Sequence, residues 1–361
     1  MGAQSRMDAL EAYALYANVV RDRVDRAVVA SLGSDLANER ELGADVARVA
    51  DALFSLGTRG GKRIRAVLLS LAYEGLGGEG GAERVTNAAV AIELLQVYML
   101  VHDDWMDGDL VRRGGPSVHK MLADGFGSTS LGDATAILAG DFACALAQEA
   151  MLSVDAKKED LVVAARRFAR IQHDVVLGQV MDVCGELRSI RDLSLARVER
   201  MHAKKTGAYT VGGPLAIGAL LAGASEEQVA AIDAFAEPLG IAFQLRDDVL
   251  GTFGASDKTG KARFGDLRQG KQTGLVASFL AVADAPDVAL LTEVLGRADA
   301  DDAACAKVAD LIESSGARAR VDARVSELLA MAHQKLPALG FRAEEAFLLE
   351  GAITALGERA S

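Results

Sequence analysis

Residues 82–109 read AERVTNAAVAIELLQVYMLVHDDWMDGD, an apolar run followed by several acids. Apolar residues fill most positions up to Val101 with no alternation of period two, so the stretch predicts a long α-helix, the most apolar in the chain. The predicted helix ends in a group of acids at Asp103, Asp104, Asp107 and Asp109. The stretch therefore predicts an apolar helix that ends in several carboxylates.

The sequence on both sides predicts helix after helix. Amphipathic periodicity covers Leu10–Leu32 and about 42–56, and a further helix is expected to run to Leu76. Beyond the apolar helix we expect helices near 131–152, 159–187, 193–221, 226–250, 272–283, 286–297, 302–314, 317–335 and 343–357. There is no convincing alternating strand, no linker rich in Pro or Ser and no repeat of 20–50 residues. The sequence therefore predicts a single all-α domain over 1–361, a large helix bundle around a central apolar cavity.

Composition excludes several classes of function. The 361 residues include 39 basic and 51 acidic side chains, which gives a net charge of −12, so nucleic acid is not an expected partner. The three cysteines form no CxxC motif, which fits a reducing cytoplasm. No run of about 18 uninterrupted apolar residues suggests a membrane span. We expect a cytoplasmic protein with no stable membrane insertion.

The acids at the end of the apolar helix predict a metal site. Asp103 and Asp107 are four residues apart and therefore lie on one helix face. Two carboxylates on one face repel each other, and burying them is costly unless a cation neutralises them. Oxygen ligands without paired His or Cys favour Mg²⁺, which also takes phosphate oxygens. The alternative is a solvated acidic helix end, which the helix dipole disfavours.

A second acidic pair strengthens the prediction of a metal site. Asp247 and Asp248 lie in FQLRDDVLG near the end of another apolar helix, about 140 residues further along the chain. Two such pairs suggest opposed helices that share a polynuclear metal site.

Basic residues cluster around both acidic pairs. In GGKRIR, Lys62 and Arg65 are one turn apart at the start of a predicted helix, where backbone N–H groups also bind anions. Three further groups are Arg112-Arg113, Lys204-Lys205 and the set Lys258, Lys261, Arg268 and Lys271. Metals on one side and cations on the other predict a site for diphosphates.

The ordered set GGKRIR, HDDWMD, RRGGPSVH, GQVMD, KKTGAY, FQLRDDVLG and GKQT spans about 55–275 and resembles the trans-isoprenyl diphosphate synthases of the polyprenyl synthetase family, most of all geranylgeranyl diphosphate synthases. The resemblance implies the isoprenoid synthase fold and a Mg²⁺-dependent, head-to-tail condensation. In this reaction isopentenyl diphosphate adds to an allylic diphosphate, and diphosphate is released. It also implies a homodimer, for which the apolar helix around Leu122–Gln148 is a candidate interface.

The resemblance further implies residue roles. Asp103 and Asp107 should hold two Mg²⁺ ions and Asp247 a third, with Asp104 and Asp248 in support. The allylic diphosphate should be bound by Arg112, Lys205 and Lys261, and isopentenyl diphosphate by Lys62, Arg65, Gln96 and Arg113. Substrate binding should also involve Gly61, Thr206, Gln244 and Lys271. Asp182 is either a further residue of this site or a structural acid.

Product length follows from residues just before the first acids. Tyr98 and Met99 lie five and four residues before Asp103, and no two-residue insertion separates the aspartates. By resemblance, this pattern is typical of geranylgeranyl (C20) diphosphate synthases, and a farnesyl (C15) diphosphate synthase is the alternative. Gly251 stands where many family members carry a third aspartate, so no metal ligand is expected there.

Two other classes of protein are alternatives to a prenyl diphosphate synthase. A terpene cyclase would carry an Asn/Asp–Ser/Thr–Glu motif in place of FQLRDDVLG. A non-catalytic subunit of a heteromeric prenyl synthase commonly loses the first aspartate motif, whereas this chain keeps Asp103, Asp104 and Asp107.

Overall fold

A computed structural model describes residues 3–185, 190–254 and 264–357, and most of them are helical. The first half contains α1 (Ala3–Asp35), α2 (Ala44–Thr58), α3 (Ile64–Gly75), α4 (Thr86–Met106), α5 (Val118–Phe126), α6 (Thr129–Leu152) and α7 (Lys158–Val183). The second half contains α8 (Leu195–His202), α9 (Gly213–Leu221), α10 (Glu226–Phe253), α11 (Gly265–Arg268), α12 (Gly274–Leu280), α13 (Ala285–Val294), α14 (Asp302–Ser314), α15 (Ala317–Lys335) and α16 (Ala343–Gly357). Short 3₁₀ turns occur at Glu39–Leu42, Ala82–Val85, Ile190–Asp192 and Leu336–Leu339. The predicted all-α class is confirmed.

The structure differs from the sequence prediction in four places. The apolar helix expected around Leu122–Gln148 is divided between α5 and α6, and the short helix α11 was not expected. The helix expected over 193–221 is divided into α8, a π-helical segment at Ala203–Gly212, and α9. The loop that follows α4 contains a two-residue antiparallel ladder between β1 (Val111–Arg112) and β2 (Gly115–Pro116).

Hydrophobic periodicity resolves none of these features. A helix pattern does not show where π-helical hydrogen bonds replace α-helical ones, and a two-residue strand is too short to show alternation.

Two hydrophobic clusters form the core, and α10 belongs to both. Phe235 and Leu239 pack with α1, α3, α4 and α9 in the larger cluster. Leu245 and Val249 pack with the helices that follow α10 in the smaller cluster. The C-terminal half of α10, which carries Asp247, is therefore held between the two clusters.

Glycines bring three helical segments unusually close together. A Cβ on Gly240 of α10 would lie 2.3 Å from Cα of Gly207 in the π-helical segment. A Cβ on Gly178 of α7 would lie 2.5 Å from the backbone nitrogen of Lys205. Only glycine fits at either position, so α7 and α10 both contact the π-helical backbone directly and fix the position of Lys205.

Two helical stretches in the described chain, Ala82–Met106 and Thr129–Leu152, are long and apolar enough to cross a membrane by length and composition. Within the bundle, 61% and 44% of their most apolar windows are buried. The core helix of a soluble protein passes the same test, so these two stretches are weak evidence for a membrane span.

Candidate active site

A cavity of about 870 Å³ lies between α3, α4, α7, the π-helical segment and α10. It brings together most of the residues singled out by sequence: Lys62, Arg65, Gln96, Tyr98, Met99, Asp103, Asp182, Lys205, Thr206, Gln244, Asp247, Asp248 and Lys271. Gly61, Asp104, Asp107, Arg112 and Arg113 do not line the cavity itself. Lys258 and Lys261 lie outside the described residues.

The first acids are neutralised by lysines from other parts of the chain. Lys271 Nζ donates to Asp107 Oδ2 at 2.8 Å. Lys205 Nζ lies 3.6 Å from Asp103 Oδ1, and Gln179 Nε2 donates to the same oxygen at 3.1 Å. These contacts place Asp107 beside the cavity although it does not line it.

Asp104 and Arg112 form a pair behind the cavity wall. Asp104 is fully buried, and Arg112 Nε donates to Asp104 Oδ1 at 2.6 Å. Arg112 also donates to Asp109 at 3.1 Å. Burial raises the pKa of Asp104 to about 6, although Arg112 opposes the shift. Arg112 is thus an ion-pair partner of Asp104 and Asp109, and these two carboxylates orient its guanidinium.

Both members of the second acidic pair line the cavity, and one of them is also an anchor. The buried Asp248 accepts a hydrogen bond from the backbone N–H of Gly274 at 2.8 Å. Gln244 lies one turn earlier on α10, and its Oε1 accepts a hydrogen bond from Thr206 Oγ1 at 2.8 Å. Asp248 therefore ties α10 to the start of α12, and Gln244 ties it to the π-helical segment.

Gly251 lies against the side chain of Asp266. A Cβ at this position would lie 1.9 Å from Asp266 Oδ2, so an aspartate at position 251 would have to displace that carboxylate. Asp266 itself lines the cavity.

Lys205 remains charged inside the protein. Burial alone would lower its pKa, but Asp182 and Asp103 outweigh that effect and the pKa is raised. Lys205 Nζ donates to Asp182 Oδ2 at 2.5 Å. Asp182 was expected to be either a site residue or a structural acid. The structure favours a site residue, because the Asp182 side chain lines the cavity and accepts a hydrogen bond from Lys205.

Two of the residues expected to bind isopentenyl diphosphate, Arg65 and Gln96, meet at Tyr209. The guanidinium of Arg65 stacks 4.1 Å from the ring centre of Tyr209 and donates to Thr210 Oγ1 at 2.8 Å. The hydroxyl of Tyr209 donates to Gln96 Oε1 at 2.6 Å. The guanidinium of Arg113 lies next to Gly61, because a Cβ on Gly61 would lie 3.6 Å from its Cζ.

These residues have unused hydrogen-bond donors. Nε of Arg65 and Nη1 of Arg113 are buried and have no hydrogen-bond partner among the described residues. Burial also lowers the pKa of Arg113, and the nearby Arg63 and Arg65 add to the effect. Buried cations with free donors favour an anion as the missing partner.

Several residues of the site were missed from the sequence. Tyr209 and Thr210 orient Arg65 and Gln96, and Gln179 orients Asp103. Glu93 and Arg63 form a buried ion pair close to Arg113. Glu93 could have been identified from the sequence, because it is the only acid in α4 before Asp103.

The donor set fits Mg²⁺. The described residues contain no group of three or more His, Cys, Asp or Glu side chains that could hold a metal ion by themselves. Carboxylate oxygens of Asp103, Asp107 and Asp247 nevertheless lie in or beside one cavity, and each is a hard ligand. Mg²⁺ typically takes one or two carboxylates and completes its shell with water and substrate phosphates, so few protein ligands are needed for each ion.

The polyprenyl synthetase family model matches residues 46–312. The geranylgeranyl diphosphate synthase of Sulfolobus acidocaldarius is 34% identical over 271 residues, which is 74% of this chain and 78% of that protein. The (2E,6E)-farnesyl diphosphate synthase of Mycobacterium tuberculosis is 35% identical over 261 residues, which is 72% of this chain and 68% of that protein.

A similar solved structure is that of geranylgeranyl pyrophosphate synthase from Corynebacterium glutamicum, complexed with isoprenyl diphosphate and magnesium. It aligns with a TM-score of 0.87 at 29% identity, covering 96% of this chain and 99% of that one. The chain belongs to the polyprenyl synthetase family. It is a prenyltransferase that acts on isopentenyl and allylic diphosphates.

The two groups of cations generate a prediction about substrate affinity. Lys62→Ala or Arg65→Ala should raise mainly the KM for isopentenyl diphosphate, and Lys205→Ala mainly the KM for the allylic substrate. Each lost charge-assisted contact should cost roughly 1.5–3 kcal/mol, or about 10- to 150-fold in affinity. By resemblance, Lys261→Ala should behave as Lys205→Ala does.

Lys204 provides the matched control, because it is adjacent to Lys205 but donates to Asp174 outside the cavity. Lys204→Ala should leave both KM values unchanged. Steady-state kinetics with each substrate varied in turn measures the effect. Equal losses for both substrates in all the cavity variants would contradict the assignment.

Proposed function

We propose that this chain is a Mg²⁺-dependent geranylgeranyl diphosphate synthase. The observation that carries the proposal is a single cavity with two chemically distinct cation groups, one beside the carboxylates of Asp103 and Asp247 and one around Arg65. The condensation needs an allylic diphosphate whose diphosphate group is bound by metal ions. It also needs isopentenyl diphosphate held within reach of C1 of the allylic substrate. A non-catalytic subunit would need neither set of carboxylates.

The protein residues have separate tasks in this proposal. Asp103 and Asp107 would hold two Mg²⁺ ions and Asp247 a third, and these ions neutralise the departing diphosphate when bound. Lys205 would bind the same diphosphate, as would Lys261. Lys62, Arg65 and Gln96 would orient isopentenyl diphosphate, with Arg113 behind them. The apolar walls exclude water, which would otherwise trap the allylic cation.

Metal dependence tests the chemistry. Asp103→Ala and Asp247→Ala should lower kcat by at least about 100-fold, because charge stabilisation in the transition state is lost. Asp124→Ala is the control, since Asp124 pairs with Lys120 on the exposed surface. Circular dichroism should show intact helical content in all three variants. Turnover that persists unchanged in excess EDTA would refute the proposed mechanism.

The C20 assignment is supported by the way Tyr98 is held. The ring of Tyr98 lies edge-on to His102, with 4.9 Å between ring centres. Gln172 hydrogen-bonds the Tyr98 side chain and donates to Cys144 Sγ at 3.0 Å. His102 Nε2 is 3.0 Å from the backbone carbonyl of Ile137. Contacts with α6 and α7 therefore fix the ring where the prenyl tail would run past α4.

A substitution at Tyr98 tests the product length. Tyr98→Ala should extend the product beyond C20, because it removes the obstacle to the tail without touching the carboxylates. Tyr98→Phe keeps the ring and should keep the wild-type product. Chromatography of the dephosphorylated products measures chain length. A wild-type product that stops at C15 would favour the alternative farnesyl assignment. An unchanged distribution of product lengths in Tyr98→Ala would show that Tyr98 does not limit the length of the prenyl tail.

A homodimer is also proposed, with α6 and α7 at its interface. The two helices contact each other in the described chain. They carry apolar side chains that are 37–64% exposed: Leu131, Ile137, Leu138, Leu152, Val162, Val163 and Leu177. An exposed apolar surface of this kind marks a protein interface. The cytoplasmic location stays a prediction of the sequence.

Sedimentation equilibrium tests the proposed interface. Leu138 is 63% exposed, and Leu138→Glu should shift the protein from dimer towards monomer because it places a charge in an apolar contact. Val282 is 55% exposed and lies outside α6 and α7, so Val282→Glu should not change the molecular mass. A monomeric wild-type protein would rule the homodimer out.

A further inference from the structure

A buried ion cluster lies behind the residues proposed to bind isopentenyl diphosphate. Arg63 is 4% exposed and Glu93 is 2% exposed. Arg63 donates from Nη1 to Glu93 Oε2 at 2.8 Å, from Nε to Asp25 Oδ1 at 2.7 Å, and from Nη2 to the carbonyl of Gly57 at 3.1 Å. One guanidinium thereby connects α1, α2 and α4.

The backbone of Arg63 is as unusual as its side chain. Its φ of 47° is left-handed, which is rare for a residue with a Cβ. Such a conformation persists when surrounding contacts enforce it, and it concentrates at binding and catalytic sites. Here the three hydrogen bonds of the guanidinium hold the side chain inside the protein. The turn is thereby fixed where α3 begins.

The direction of this turn matters for its neighbours. Lys62 and Arg65 flank Arg63 in sequence, and both line the cavity, whereas Arg63 does not. The side chain of Arg63 points away from the cavity and is held by Asp25, Glu93 and Gly57. The side chains of Lys62 and Arg65 are therefore directed towards the cavity. Loss of the anchor would let Lys62 and Arg65 move relative to Gln96 on α4.

Charge balance supports the same role. Glu93 attracts both Arg63 and Arg113, while Arg63 and Arg65 repel Arg113. Three arginines in a largely desolvated region need a carboxylate to keep them together before an anion binds. Glu93 supplies this carboxylate, and Asp25 supplies a second one from the N-terminal helix.

We propose that Arg63, clamped between Asp25 and Glu93, is a positioning residue that sets the isopentenyl diphosphate subsite, and that α1 contributes to substrate affinity through Asp25. The proposal rests on the function proposed above. It assigns a role to a helix that contains none of the sequence motifs, and to residues that do not touch the substrate.

Asp25→Asn is the decisive variant. It keeps the size of the side chain and removes one charged partner of Arg63, so the buried Arg63–Glu93 pair stays in place. We expect the KM for isopentenyl diphosphate to rise by about 5- to 10-fold, with the allylic KM and kcat within about twofold of wild type. Isothermal titration with isopentenyl diphosphate alone should show the same loss of affinity without turnover.

Two further variants complete the test. Arg63→Lys keeps the charge but has one nitrogen in place of the three that bind Asp25, Glu93 and Gly57, so it should raise the same KM at least as much as Asp25→Asn. Asp22→Asn is the matched control, because Asp22 lies on the same helix and pairs only with the exposed Arg21 among the described residues. It should leave all three kinetic constants unchanged.

The outcomes separate this proposal from the proposed function. A wild-type protein that neither binds nor elongates with isopentenyl diphosphate would overturn the function. An active wild type with an unaltered Asp25→Asn variant would overturn the positioning role alone. So would parallel losses for both substrates in Asp25→Asn and Arg63→Lys, because a merely structural defect would produce them.

Discussion

Charge compensation in a desolvated cavity is the constraint on which this structure depends. Asp103, Asp107 and Asp247 approach one cavity from two helices, and a carboxylate removed from water destabilises the fold unless a cation or hydrogen-bond donors accompany it. Lys205 and Lys271 provide this compensation for the first acids. Around Arg63 the arrangement is inverted, because Glu93 and Asp25 compensate its buried guanidinium.

These charges work together only because the backbones that carry them are held at fixed separations. Gly178 and Gly240 allow α7 and α10 to touch the π-helical segment, and this contact places Lys205 next to Asp103. A π-helical segment is less stable than a regular helix and is often found at functional sites. Here it follows from packing against two glycines as well as from its own sequence. A larger residue at either glycine would separate the lysine from its carboxylate before it affected the apolar core.

The sequence was sufficient for the all-α class and for many of the residues that line the cavity. The apolar run before Asp103 and the two acidic pairs predicted opposed helices, and the structure places both pairs at one cavity. The sequence could not show which acids are buried anchors, because Asp104 and Asp248 are adjacent to Asp103 and Asp247 in the chain and yet are held by Arg112 and by the backbone of Gly274. It also could not identify Asp25, since a single acid on an amphipathic helix is indistinguishable from a solvated charge. The division of the helix over 193–221 depends on tertiary contacts that local periodicity does not encode.

The proposed reaction requires an exchange of partners rather than the simple filling of a cavity. Lys205 and Lys271 pair with Asp182, Asp103 and Asp107. Mg²⁺ bound at Asp103 and Asp107 without a diphosphate would deprive both lysines of these partners in the same desolvated region. A diphosphate bound without metal would add negative charge beside the carboxylates. With both bound, the carboxylates would hold metal and the lysines would bind phosphate oxygens, so every buried charge would keep a partner. The same balance explains why the acids and the lysines of this site have to be considered as one unit: removing either member leaves the other uncompensated, whether or not the substrate is present.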